Sequence, residues 1–222
     1  MGVLPRFMKF TELENIAEQL LATYRDGYLL ENPQPTDIEH FAEFALGASL
    51  DFAHLSSDQS TLGLTTFETT SLSVGDKNPT VDLTFPPRTI VLDTNAHMTQ
   101  PETRHRFTVA HECAHLILHE EYFLQQQQQE TVTKVARCET NTASQSADGL
   151  QNRLELQANH LGACLLMPRP TFTSYFNAHI ARKWCEMNTQ ERQTKFAELA
   201  DAFRVSREAT KWRIHRLGLT AK

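Results

Sequence analysis

The apolar residues of this chain recur at two different spacings, and the changes between them divide the sequence into predicted helices and strands. In the first 47 residues they recur every three or four positions, with Thr11 and Glu14, then Thr36 and Glu39, placed as capping boxes. Between about residues 48 and 93 the spacing falls toward two, which is typical of short strands. The pattern predicts two amphipathic helices followed by three or four strands of a small, mostly antiparallel sheet.

The helical spacing returns in two central segments, at about residues 100–120 and 153–168. The first is apolar on two sides and begins with Thr99 and Glu102, a third capping-box pair, so it predicts a buried helix. The second has one apolar stripe and ends where Pro168 must stop it. The residues of the stripe are Leu154, Ala158, Leu161 and Leu165.

The segment between these two helices has a different composition. Residues 120–149 include a glutamine run at 125–129 and many small polar residues, with few large apolar ones. Such a stretch buries too little surface to offset the conformational entropy that it would lose on ordering. We therefore predict a flexible insertion whose first residues could extend the preceding helix by a turn or two.

The end of the chain has a third helical region. A helix is predicted at 171–184, and residues 196–203 and 207–218 have the spacing of a helix-turn-helix, with Ser206 as the cap of the second helix. Both DNA contact and docking of a helical element onto the rest of the protein fit this pattern, and docking is the preferred interpretation. The side chains predicted to face outward are Arg207, Thr210, Lys211 and Arg213.

The most specific motif lies inside the first central helix. His111, Glu112 and His115 form His-Glu-x-x-His, and one helical turn separates the two histidines by about 6 Å on one face. Two imidazoles so placed can bind one metal ion, and Glu112 beside them can reach a reacting water without being a ligand. His119 lies about 12 Å along the helix from His111, too far to share the ion, and is interpreted as structural.

A metal held by two histidines needs a third ligand from elsewhere in the chain. The astacin-like continuation would require Gly and His where this chain has Leu118 and Glu121, so that class is excluded. The remaining pattern takes a glutamate from a later helix, and Glu155 fits. Asn159 stands one turn further on the same face, where it can accept a hydrogen bond from the far nitrogen of a ligand histidine.

These motifs resemble those of the ImmA/IrrE family of intracellular metallopeptidases, and the resemblance extends weakly from about residue 13 to residue 219. It implies an α+β fold with a thermolysin-like helix pair that holds zinc, and cleavage of helix-turn-helix repressor proteins. Cys113 and Gly162 depart from the residues usual in the family, but both are small residues at packing positions. The residues that carry the resemblance are 107–119, Glu155, Ala158, Asn159 and 165–168.

Composition and charge limit the size of the core, the location of the protein and the partners of its C-terminal region. A chain of 222 residues with 40% hydrophobic content can bury a sizeable core. It has no apolar run near the roughly 18 residues of a membrane span and no apolar signal core in its first nine residues, so a cytoplasmic location is predicted. Residues 182–222 hold ten Lys and Arg against five Asp and Glu, net +5, on a chain whose total is −6.

The sequence therefore predicts an endopeptidase in which His111, His115 and Glu155 bind zinc, with manganese as the other ion that such ligands accept. Glu112 is the predicted general base, and Asn159 is predicted to orient a ligand. The candidates for stabilising the oxyanion are His160, Tyr175 and Arg104.

Two other classes of function stay open at this point. A DNA-binding regulator could use the metal as a sensor or a structural staple, but such a site has no need of Glu112 between its ligands. A catalytically silent relative could act as a scaffold or an antitoxin-like binder, but the chain retains every expected catalytic residue. The predicted division is a peptidase domain at 1–170, with the flexible insertion at 120–149, and a helical helix-turn-helix-like region at 171–222.

Overall fold

The computed structural model describes residues 6–75, 81–126, 135–139, 149–181, 184 and 186–220, and the account below refers to these residues. They fold as α+β, which confirms the predicted class. The helices are α1 (Phe10–Thr23), α2 (Tyr28–Glu31), α3 (Ile38–His40), α4 (Thr94–Thr99), α5 (Glu102–Gln126), α6 (Gly149–Leu166), α7 (Arg169–His179), α8 (Thr189–Phe203) and α9 (Arg207–Arg216). The strands are β1 (Ser49–Ala53), β2 (Thr61–Thr66), β3 (Thr70–Val74), β4 (Val81–Phe85), β5 (Thr89–Asp93) and β6 (Val135–Glu139).

The main sheet has four described strands in the order β1-β5-β2-β6, and β3 and β4 form a separate antiparallel pair. It is a mixed sheet, because β1 runs parallel to β5 while β2 runs antiparallel to both of its neighbours. The central strand β5 is buried along its whole length, and α5 packs against β5 and β2. This packing brings β2 directly onto the helix that contains the His-Glu-x-x-His motif.

Part of the predicted flexible insertion is regular structure. Helix α5 continues to Gln126, and residues 135–139 form β6, which pairs with β2. A prediction from composition missed this strand because its pairing partner lies far away in the sequence. The rest of the predicted insertion, 127–134 and 140–148, lies outside the described residues.

Helices α5 and α6 pack extensively against each other, and one glycine permits their approach. A Cβ at Gly162 would lie 3.1 Å from the carbonyl group of Ala110 and from the backbone nitrogen of His111. The same hydrophobic cluster continues through α1, α7, α8 and α9, on both sides of the boundary predicted at residue 170. No helix in the described ranges is long and apolar enough to cross a membrane.

The three predicted capping pairs are wrong in detail. The N-cap of α1 is Lys9, two residues before the predicted Thr11, and Glu12 accepts a hydrogen bond from the backbone N–H of Lys9. Asp37 caps α3, while the hydroxyl of Thr36 donates to a backbone carbonyl of α6. Thr99 is the last residue of α4 and precedes α5. The hydroxyl of Thr99 donates to the backbone carbonyl of Asn95 in α4. The groups of the predicted caps are thus taken by other partners, which local spacing does not reveal.

The C-terminal helices α8 and α9 are joined by a short turn, and Ser206 Oγ accepts a hydrogen bond from the backbone N–H of Ala209, as expected for a cap. The predicted outward direction is wrong for Thr210 and Arg213, which are fully buried. Both carboxylate oxygens of Glu14 in α1 accept hydrogen bonds from Arg213. Burial of this arginine is tolerable because the carboxylate compensates its charge, so α9 is docked against α1 and α6.

Candidate active site

Two histidines of α5 and one glutamate of α6 converge in the space between these helices. His111 Nε2 lies 3.0 Å from His115 Nε2 and 3.2 Å from Glu155 Oε2, and His115 Nε2 lies 3.4 Å from Glu155 Oε1. Both histidines are buried, and the Glu155 side chain is 23% exposed. One ion can therefore contact two nitrogens and a carboxylate oxygen here, and these three residues form a group that could hold a metal.

Asn159 lies behind His111, at the position predicted for it. The amide oxygen Oδ1 of Asn159 is 3.1 Å from His111 Nδ1. Because a carbonyl oxygen can only accept, His111 Nδ1 must donate. In the neutral ring, the form that binds a metal, the Nε2 atom of His111 then keeps its lone pair, and this atom faces Glu155.

A second chain of hydrogen bonds lies behind His115 and involves two residues whose role the sequence did not show. Gln157 Nε2 donates to the backbone carbonyl of Arg6, so Gln157 Oε1 accepts from His119 Nε2 at 3.1 Å. His119 Nδ1 must then accept from His115 Nδ1 at 3.0 Å, which leaves the lone pair on His115 Nε2. The spacing of four residues between His115 and His119 was the available signal, because it places them one turn apart on the same face.

The charges in the site favour an ionised Glu155 and neutral rings at His115 and His119, whereas they favour the protonated form of His111. Burial raises the pKa of Glu155, but the adjacent His111 and His115 lower it to about 2. Burial lowers the pKa of His115, and burial and the neighbouring His115 lower the pKa of His119 to about 3. Burial also lowers the pKa of His111, but the hydrogen bond to Glu155 and the charge of Glu112 outweigh it, so that this pKa is raised.

Glu112 is fully buried and is held by strand β2. The hydroxyl of Thr65 donates to Glu112 Oε2 at 2.7 Å. Gly63 on the same strand makes room for the carboxylate, since a Cβ there would lie 2.8 Å from Thr108 Cγ2 and 3.3 Å from Glu112 Oε1. The strand thus fixes the direction of a carboxylate that is adjacent in sequence to a candidate ligand.

The three oxyanion candidates lie in different surroundings. His160 stacks on Phe10 with ring centroids 4.4 Å apart, and its Nε2 is 3.5 Å from a Glu14 oxygen. The ring of Tyr175 packs against His179 in α7. Arg104, at the start of α5, lines a groove that Asn159 also lines, so it shares a surface with the candidate site.

A second group with metal-binding side chains lies on the other side of α6. Glu14, His160 and Cys164 offer ligand atoms within 4.8 Å of one another. Arg213, however, donates to both oxygens of Glu14 and lies 3.4 Å from Cys164 Sγ. Its charge lies where a cation would need to bind, and burial raises the pKa of the Cys164 thiol to about 12. The group is therefore a buried ion-pair cluster, and of the two groups found among the described residues the one containing Glu155 suits a metal.

An α+β fold in which two histidines, a glutamate and a further buried carboxylate meet on a helix pair is the arrangement of a metal-dependent hydrolase. The family model Peptidase_M78, described as the IrrE N-terminal-like domain, matches residues 65–215, about two thirds of the chain. The chain belongs to this peptidase family, which confirms the resemblance to ImmA/IrrE proteins. Membership implies peptidase activity. No curated protein matches the sequence.

Proposed function

We propose that the protein is a zinc-dependent endopeptidase with His111, His115 and Glu155 as its ligands. The supporting observation is the 3.0–3.4 Å convergence of their three donor groups inside a peptidase-family fold. Two neutral imidazoles and one carboxylate form a ligand set of catalytic zinc sites, which leave a position open for water or substrate. Manganese suits the same nitrogen and oxygen donors.

The residues of the site suit the hydrolysis of a peptide bond. When bound, the ion would polarise the scissile carbonyl group and favour ionisation of the attacking water. Glu112 accepts the proton of that water and passes it to the leaving amine. Thr65 keeps the carboxylate in one orientation through the hydrogen bond to Oε2. Asn159 and His119 orient the two histidines, so the rings need no rearrangement during the reaction.

The substrate that we propose is a helix-turn-helix repressor in the cytoplasm. The support is family membership together with the resemblance of residues 107–119 and 155–168 to ImmA/IrrE proteins. The DNA-binding alternative is weaker than the sequence suggested, because Thr210 and Arg213 are buried and cannot reach DNA. We therefore treat the C-terminal helices as part of the peptidase and not as an operator-binding element.

The test of this proposal is the substitution Glu112→Gln. The nearly isosteric amide leaves the three candidate ligands untouched, so we expect about one metal ion per chain by elemental analysis, as in the wild type. Cleavage should fall by roughly 10²- to 10⁴-fold, because the amide cannot accept the proton of water. Glu121→Gln, at an exposed glutamate of the same helix, is the matched control and should cleave normally.

The assay co-expresses the protein with the repressor encoded nearest to it and follows the length of that repressor on a gel. Alanine at His111, His115 or Glu155 should each remove the metal and the cleavage. Equal cleavage by Glu112→Gln and wild type would refute the role of Glu112. Full metal content in Glu155→Ala would refute the ligand assignment.

A further inference from the structure

A largely apolar groove opens beside the candidate metal centre. Its volume is about 680 Å³, and it lies between the start of α5, one face of α6, and α9. This volume falls within the range of roughly 300–1,000 Å³ that is typical of ligand pockets. Large apolar side chains reach the surface along it, since Leu156 is 56% exposed and Phe10 is 40% exposed. Exposed apolar side chains that line one concave surface mark a binding site.

The groove adjoins the candidate metal centre through two residues that lie against His111. Asn159 lines the groove and also accepts the hydrogen bond of His111. Phe107 lines it as well, with its ring centroid 6.4 Å from that of His111. Leu156 directly follows the candidate ligand Glu155. A polypeptide held at the metal centre therefore has this groove next to it.

The far wall of the groove is formed by α9. Trp212 and Arg216 of that helix line it, and the Arg216 guanidinium lies 4.2 Å from the centre of the Phe10 ring and 5.2 Å from that of Trp212. The resulting wall consists of flat rings and a guanidinium plane, which give apolar contact area at low conformational cost. Because both oxygens of Glu14 accept hydrogen bonds from Arg213, this wall is held in place relative to α1, which supplies Phe10.

We infer that this groove binds a large apolar side chain of the substrate, such as Phe, Leu or Met, on one side of the scissile bond. The inference rests on the proposed peptidase function and names the substrate residue that the same site selects. It gives α9 a role in choosing the peptide, through side chains that face the groove and not through those that face solvent. Ala209 of α9 lies on the groove wall, so a larger residue there would occupy the space of the substrate side chain.

Cleavage is tested first, with wild type and Ala209→Phe on a library of peptides made from a cell proteome. Wild-type cut sites should carry Phe, Leu or Met within two positions on one side of the cut. Ala209→Phe should lower kcat/KM at those sites by roughly 10- to 100-fold and change it less than twofold where the position is Ala. Lys211→Phe, at an exposed position of the same helix, is the matched control and should keep the wild-type pattern.

Binding is tested separately, so that it does not depend on cleavage. The chain has two tryptophans, and Trp184→Phe in the Glu112→Gln protein leaves Trp212 as the reporter in the groove. Synthetic peptides that differ at one position should shift the Trp212 emission and bind at least tenfold tighter with Phe or Leu than with Ala. Ala209→Phe should abolish this difference. Leu156→Ala, at an exposed position, should reduce it several-fold without disturbing the fold.

The outcomes separate the two proposals. Selective binding without any cleavage would support the groove and refute the peptidase. Cleavage without apolar preference, unchanged by Ala209→Phe, would refute the groove and leave the peptidase standing. A concentration-dependent dimer that Ala209→Phe dissociates would show that a second copy fills the groove, and would also overturn the inference. Absence of both binding and cleavage would refute both proposals.

Discussion

At the scale of single residues, hydrogen bonds decide which nitrogen of each histidine is free for a metal. Asn159 fixes His111, and the chain from Arg6 through Gln157 and His119 fixes His115. The sequence was enough to predict the contact of Asn159, because both motifs have helical spacing. The sequence was not enough to predict the role of His119, because that role depends on Gln157, 38 residues further along the chain.

We predict that His119→Phe weakens metal binding by about 10- to 100-fold, the usual loss when a group that orients a ligand is removed. Phenylalanine fills a similar volume but cannot accept the hydrogen bond of His115, so the imidazole loses its fixed direction. A competition titration with a chromophoric chelator measures the affinity. His119→Gln, which can still accept that bond, should recover most of the loss. His97→Phe, at an exposed histidine, is the control. Wild-type affinity in His119→Phe would contradict the positioning role.

At the scale of elements, the site depends on how closely α6 and β2 approach α5. Periodicity predicted both central helices because their apolar stripes recur over several turns. Periodicity could not predict how closely the elements approach, because this depends on small residues that face the backbone of another element. A Cβ at Gly162 would meet the backbone of Ala110 and His111, and one at Gly63 would meet Thr108. Strand β6 was missed for a related reason, since its stability comes from its pairing with β2.

We predict that Gly162→Val destabilises the protein by about 1–3 kcal/mol, the usual cost of overpacking. The added atoms would push α6 away from α5 and move Glu155 away from His111, so metal affinity should fall as well. Urea unfolding gives the first quantity and chelator competition the second. Gly149→Val is the matched control in the same helix, because a Cβ there would meet no atom of another described element within 4 Å. Equal stability of the two variants would show that α6 can accommodate a side chain at position 162, and would contradict the prediction.

At the scale of the whole molecule, one buried ion pair joins the first and last described helices. Glu14 and Arg213 are 199 residues apart in sequence, yet both side chains are buried against α6. No local pattern could predict the pairing, which is why Arg213 was expected to face solvent. Burial raises the pKa of Glu14, but hydrogen bonds from His160 and Arg213 lower it to about 2, from an ordinary value of 4.5.

We predict that Glu14→Gln lowers the free energy of unfolding by about 3–5 kcal/mol near neutral pH, because it leaves Arg213 buried without a compensating charge. A carboxylate with a depressed folded pKa stabilises the fold above its unfolded pKa of 4.5, and this stabilisation is lost as the pH falls toward 2. The difference between wild type and variant should therefore shrink by about 1 kcal/mol between pH 6 and pH 3.5.

Urea unfolding at the two pH values measures this difference. Glu18→Gln in the same helix removes a partly exposed ion pair with Arg169 and should cost less than about 1 kcal/mol. A difference between wild type and Glu14→Gln that stays constant with pH would refute the linkage to Glu14 ionisation.

The ion pair between α1 and α9 also determines how far this domain can be truncated. The family match begins at Thr65, inside β2, whereas the residues before it supply the carboxylate for Arg213 and the strand β1 that pairs with β5. A fragment trimmed to the matched boundaries would keep the proposed catalytic motifs. It would, however, leave the buried guanidinium of Arg213 without its carboxylate partner and expose one edge of β5. The unit that sequence comparison detects is thus shorter than the unit that these contacts hold together, and truncation series should retain α1.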